Sequence, residues 1–211
     1  MHELSNINLV IYLVAIPVFA VTCVQYSQRV ISSIDRSQRI PCGVKLFVCT
    51  AIGVTAVVTA VHPDIDKAVL ILVTLLLATQ SPIDLMTRRL ARLPTSLVTI
   101  GITVLQGNEA RLTSWSTSFW QPLLGTMAAV IPALILRNLG RAWLGWGDVL
   151  LMVPLSFAIS TVSIGHLPWW LLIASVSGAV HGALVRVHGQ TSIPFGPHLL
   201  FAAWFVFLLS A

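Results

Sequence analysis

Two aspartates in this 211-residue chain stand where a carboxylate is costly. Asp148 closes the run Leu144-Gly145-Trp146-Gly147-Asp148 and is followed at once by the apolar stretch Val149-Leu150-Leu151. Asp84 ends a second apolar run, 68–83, and is followed by Arg88, Arg89, Arg92 and Pro94. A carboxylate placed in a membrane helix costs roughly 2.5–3.5 kcal/mol at the bilayer centre and less near the interface, so each needs a partner or a task. Two aspartates within hydrogen-bond range cannot both ionise: one keeps a proton while the other acts as base on a water. Such a pair hydrolyses without a metal, a cofactor or a nucleophilic side chain, and it titrates as a unit. Gly145 and Gly147 lack a Cβ, which suits strained dihedrals and close approach of an extended substrate. The structural alternatives are a helix N-cap for Asp148 and a surface ion pair with Arg88 for Asp84.

The elements that must position these residues are membrane helices. The chain is 56% hydrophobic and 9% charged, which excludes a soluble globular domain. Apolar runs of spanning or near-spanning length occupy 8–24, 46–61, 68–83, 95–106, 121–136, 149–164, 169–185 and 198–211. The expected fold is all-α: a polytopic integral membrane protein of about eight transmembrane helices in one domain, 1–211. A short polar loop covers 25–43, and loops at 84–94 and 137–148 carry the two aspartates. Seven tryptophans against two tyrosines suit an interfacial aromatic belt. Cys23, Cys42 and Cys49 include no C-x-x-C pair and read as small buried residues rather than a disulfide framework or metal site. No Lys or Arg precedes the first apolar run, so it reads as a retained span and not a cleaved signal.

Charge assigns the sides. Of twelve Lys and Arg, ten fall in or beside the loops after the first, third, fifth and seventh runs: Arg29, Arg36, Arg39, Lys45, Arg88, Arg89, Arg92, Arg137, Arg141 and Arg186. Only Lys67 and Arg111 lie opposite. The positive-inside rule makes those four loops cytoplasmic and both termini external, with Asp84 and Asp148 at the cytoplasmic ends of their helices. The net charge of +5 is then a topology and lipid-headgroup signal, not a nucleic-acid footprint.

Three segments carry a resemblance. Gly145-Trp146-Gly147-Asp148-Val149, Asp84 with its basic stretch and Pro94, and Ile193-Pro194-Phe195-Gly196-Pro197 are the matching motifs. Together they resemble the type IV prepilin peptidases, membrane aspartic proteases with a Gly-x-Gly-Asp motif. The resemblance implies a hydrolase that removes a short basic leader from pilin-like precursors at the cytoplasmic face of a prokaryotic plasma membrane, serving type IV pilus assembly or protein secretion. It makes Asp84 and Asp148 the catalytic pair, and Gly145, Trp146, Gly147, Pro194, Phe195, Gly196 and Pro197 motif or substrate-binding positions. No cofactor or metal is implied; the partners are the precursor and membrane lipid.

Some positions depart from the family pattern. Leu150 stands where a lysine is common, the interval from Asp84 to Pro94 is long, and His198 stands where phenylalanine is frequent. Bifunctional relatives carry a cysteine-rich insertion after the first span and methylate the new N-terminus; here 25–43 is short, implying a peptidase-only form. Asp35-Arg36-Ser37-Gln38-Arg39-Ile40-Pro41 offers a rival first aspartate. It lies 113 residues and four spans before Asp148, against 64 residues and two spans for Asp84, and the family spacing favours Asp84. Two other function classes fit a carboxylate pair in a small membrane protein. A proton- or cation-coupled transporter would hold its carboxylates nearer midplane and show an inverted repeat between halves. A non-catalytic component of a secretion system would tolerate loss of both aspartates.

Overall fold

A computed structural model describes residues 2–61, 67–112, 115–139, 145–187 and 193–210. All regular structure among them is helical: α1 (His2–Ile34), α2 (Cys42–Val61), α3 (Lys67–Thr87), α4 (Arg92–Leu112), α5 (Trp115–Leu139), α6 (Trp146–Val162), α7 (His166–Val187) and α8 (Gly196–Leu209). Among the described residues, four segments are long and apolar enough to cross a membrane: Cys42–Val61, Ala68–Thr87, Trp120–Leu139 and His166–Val185. Apolar helices at Pro94–Leu105, Trp146–Val162 and Gly196–Leu209 are shorter.

The bundle is built around α3 and α8. α3 packs against α1, α2, α4 and α8, and α8 also packs against α6 and α7. Both helices are buried over most of their surface by these neighbours. Val69, Leu70, Val73, Leu76, Leu77, Leu199, Leu200, Ala202, Ala203 and Phe207 accordingly form the centre of the core. Where lipid replaces water the hydrophobic term between helices is weak, and small residues and buried hydrogen bonds hold helices together. Both devices are present. Gly125 of α5 leaves no room for a Cβ against Ser160 of α6. Trp204 Nε1 donates to Thr55 Oγ1 at 2.8 Å, which lies 2.9 Å from Thr74 Oγ1, tying α8 to α2 and α3. Thr74 gives its own proton to the Leu70 carbonyl, so Thr55 is the donor between the two threonines.

Several expectations from sequence are corrected here. The polar stretch beginning at Gln25 is largely helix, because α1 runs on to Ile34. Its last turns have an inner face: Ser27 donates to the Thr79 carbonyl, and Ile31 packs on Ile40 and Ile83. Gln28 closes the turn by bonding the Gln38 carbonyl and the Ile40 amide. Likewise α4 and α5 extend into the polar segment read as a loop between them, reaching Leu112 and resuming at Trp115. Trp120, Trp146 and Trp169 are exposed as a belt requires, but Trp170 and Trp204 are core residues with bonded indole N–H groups. Cys23 is buried, whereas Cys42 and Cys49 are exposed, and all three are free thiols.

Candidate active site

The C-terminal end of α3 and the N-terminal ends of α6 and α8 meet at one end of the bundle, and each brings one part of the site. Asp84 lies in the last turn of α3 and is only 5% exposed, which removes the surface ion-pair reading. α3 stops just beyond it, where Arg88 turns into the left-handed region at φ 53° with its N–H bonded to the Asp84 carbonyl at 2.8 Å. A side chain with a Cβ adopts that conformation at a cost, as helix C-caps require.

The connection after α3 is pinned from inside. Gln80, one turn before Asp84 and fully buried, accepts from the Ala91 N–H at 2.9 Å and donates to the Ala91 carbonyl and to Thr95 Oγ1. The amide thus satisfies both polar backbone atoms of one residue, as a strand neighbour would. Leu90, beside it, lies against Gly147: a Cβ on that glycine would stand 2.9 Å from Leu90 Cδ1. In sequence Gln80 reads as an ordinary polar interruption of an apolar run; its spacing of four residues from Asp84 is the signal that places it beside the site.

Asp148 is the third residue of α6, not its N-cap. Its Oδ2 accepts from the N–H of Gly145, the true N-cap, at 3.0 Å. This is half of a capping box, since glycine has no side chain to return the bond. The capping role and the site role therefore use different oxygens, because Oδ1 faces α8. Gly145 has φ −69° and ψ 152°, ordinary extended backbone, and Gly147 is helical. The two glycines supply room for Asp148 and Leu90 rather than unusual dihedrals. Trp146 is exposed, with the Arg137 guanidinium 4.8 Å above its ring.

Ile193 to Phe195 lead into α8, which starts at Gly196 with Pro197 in its first turn, where a missing N–H is no loss. Pro197 thus fixes the start of this helix. Gly196 is where the site converges. A Cβ there would stand 2.6 Å from Asp84 Oδ2 and 3.5 Å from Asp148 Oδ1, so the two oxygens are no farther apart than those distances together. The Gly196 N–H faces both carboxylates. The positive end of the α8 dipole is thereby aimed at the pair, as the α6 dipole is at Asp148. Among the described residues, Asp84 Oδ2 is buried without a hydrogen bond of good geometry, a position that favours a shared proton or a bridging water.

Asp35 belongs elsewhere. It sits in the exposed turn after α1, accepting from Ser37 O–H at 2.7 Å and Ser37 N–H at 2.9 Å, bonds that hold its carboxyl below the usual carboxylate range. Of the other residues singled out from the sequence, Leu144 and Arg141 lie outside the described residues.

No curated protein and no solved structure matches the chain significantly. The profile of the type IV leader peptidase family matches residues 70–183, more than half of the chain. The match runs from α3 into α7 and includes both aspartates and the Gly-Trp-Gly turn, while the Pro194–Pro197 segment lies beyond it. On that match, a membrane-type helical bundle with its paired carboxylates belongs to the type IV leader peptidase family.

Proposed function

We propose that this chain is a membrane aspartic endopeptidase that removes the leader of pilin-like precursors, with Asp84 and Asp148 as its catalytic dyad. The observation that carries the reading is the convergence of both carboxylates on Gly196. One carboxylate, ionised, takes a proton from a water whose oxygen attacks the scissile carbonyl carbon. The other, protonated, gives its proton to the carbonyl oxygen as the tetrahedral diol forms. Collapse of the diol returns a proton to the leaving amine and breaks the C–N bond. The Gly196 N–H and the two helix N-termini favour the single negative charge that the pair carries throughout.

Gly147 and Leu90 press the first aspartate's loop onto the second aspartate's helix, a direct contact between the two halves of the dyad beside those each makes with α8. The charge distribution supports a cytoplasmic position for this end of the bundle in a plasma membrane, with eight spans and both termini outside. The precursor would present its leader there while its own apolar helix stays in the bilayer. The short 35–41 connection after α1 agrees with a peptidase without a methylating insertion.

The test is direct. Purified protein in detergent micelles, mixed with a pilin-like precursor, is expected to make one cut that frees the leader, identified by sequencing the new N-terminus. An intact precursor, under conditions where a known leader peptidase cleaves it, overturns the reading.

A further inference from the structure

Residues 193–198, which carry Gly196 into place, are gripped by one face of α7. Ser177, Gly178, His181 and Gly182 fall at the spacing of a single helical stripe. The glycines form notches: a Cβ on Gly178 would stand 2.9 Å from the Phe195 ring, and one on Gly182 would collide with Ile193 Cδ1. Between the notches runs a chain of hydrogen bonds. His181 Nδ1 lies 2.9 Å from His198 Nε2, and His198 Nδ1 lies 3.1 Å from Ser177 Oγ.

Ser177 has one hydroxyl proton and gives it to the Ala174 carbonyl at 3.1 Å. With that proton on Ala174, His198 Nδ1–H donates to Ser177 Oγ and Nε2 accepts from His181 Nδ1–H. In that tautomer the Ser177 hydroxyl does not give its proton to the histidine. What the bonds do is fasten the first turn of α8 to α7. His198 is two residues past Gly196, and its own N–H closes the turn onto the Phe195 carbonyl at 3.0 Å.

We infer that Ser177, His198 and His181 are positioning residues: their hydrogen-bond chain holds the α8 N-terminus so that the Gly196 N–H stays between the two aspartates. The inference rests on the dyad reading above for its catalytic consequence, but not for the fastening itself. The fastening matters because a displacement of about 1 Å at a reacting centre costs on the order of a hundredfold in rate.

The experiment uses the full chain in micelles and two readouts, amide hydrogen exchange of the 193–199 segment and kcat against KM for leader removal. His198→Leu is expected to raise exchange in that segment about tenfold and to lower kcat at least about tenfold, with KM changed less than about twofold. His198→Asn, which returns an N–H toward Ser177, is expected to recover part of both losses. Ser177→Ala removes a single hydroxyl and carries the same test should His198→Leu loosen α3 and α6 as well. Unchanged exchange at 193–199 overturns the fastening, and faster exchange with unchanged kcat overturns its role in positioning the pair. Should Asp84→Asn cleave as well as the unsubstituted protein, the dyad reading falls, while the exchange result still decides whether the chain holds the turn.

Discussion

At the scale of single residues, the site is a problem of space as much as of charge. Gly196 leaves a gap that both carboxylates face, and a methyl group there would stand 2.6 Å from Asp84 Oδ2. Gly196→Ala is expected to lower leader removal on the order of a hundredfold while the helical far-UV spectrum is unchanged, since only the reacting groups are pushed apart. Unimpaired cleavage would show that the gap is not where reaction occurs. Leu150 departs from the family pattern without reaching the pair. It lies two residues past Asp148, hence on the opposite side of α6, and is 47% exposed. A lysine there can extend along the outer surface, so Leu150→Lys is expected to keep activity within about twofold, measured as initial rate. The aspartates are legible in sequence because a carboxylate at either end of an apolar run demands an explanation. Gly196 is legible only through resemblance, because nothing in Pro194-Phe195-Gly196-Pro197 says which oxygens it will face. The His181–His198 bond cannot be read at all: seventeen residues and a change of helix separate the two rings.

At the scale of elements, one helix end after another is fixed by a neighbour's side chain. α3 ends at a left-handed arginine, Gln80 holds Ala91, and Leu90 lies on Gly147 at the start of α6. Gln80→Leu removes the side-chain amide and its bonds, leaving the Ala91 N–H without its acceptor while the Ala91 carbonyl keeps the Thr95 hydroxyl. The expected cost is about 1–3 kcal/mol, read as a lower midpoint in a denaturant or thermal titration in micelles, together with slower cleavage. An unshifted midpoint and rate would mean that the connection holds itself. Helix existence is well signalled by apolar runs, because each is long and bounded by polar or proline-bearing segments. Helix ends are not, because α1 continues for ten residues past its apolar run on the strength of tertiary partners, Thr79 and Ile83 among them. Tertiary contacts of that kind override local polarity, which is all that a sequence shows.

At the scale of the whole molecule, the family match and the helix bundle agree on a membrane peptidase, and its sidedness can be measured directly. Cys42 is a natural reporter, exposed at the start of α2 beside the basic turn that follows α1. A membrane-impermeant maleimide is expected to label it in inside-out vesicles and not in intact cells or right-side-out vesicles; the reverse pattern would place the aspartates on the outer face. The central claim, however, is that Asp84 and Asp148 act as one unit. Groups that share a single step are not additive, so removing either should cost as much as removing both. Leader removal by purified Asp84→Asn, Asp148→Asn and the double variant, each with unaltered helical content, tests this most directly. The account predicts that all three fall to the same background rate; substantial cleavage by either single variant, or a double variant much slower than both, would contradict it.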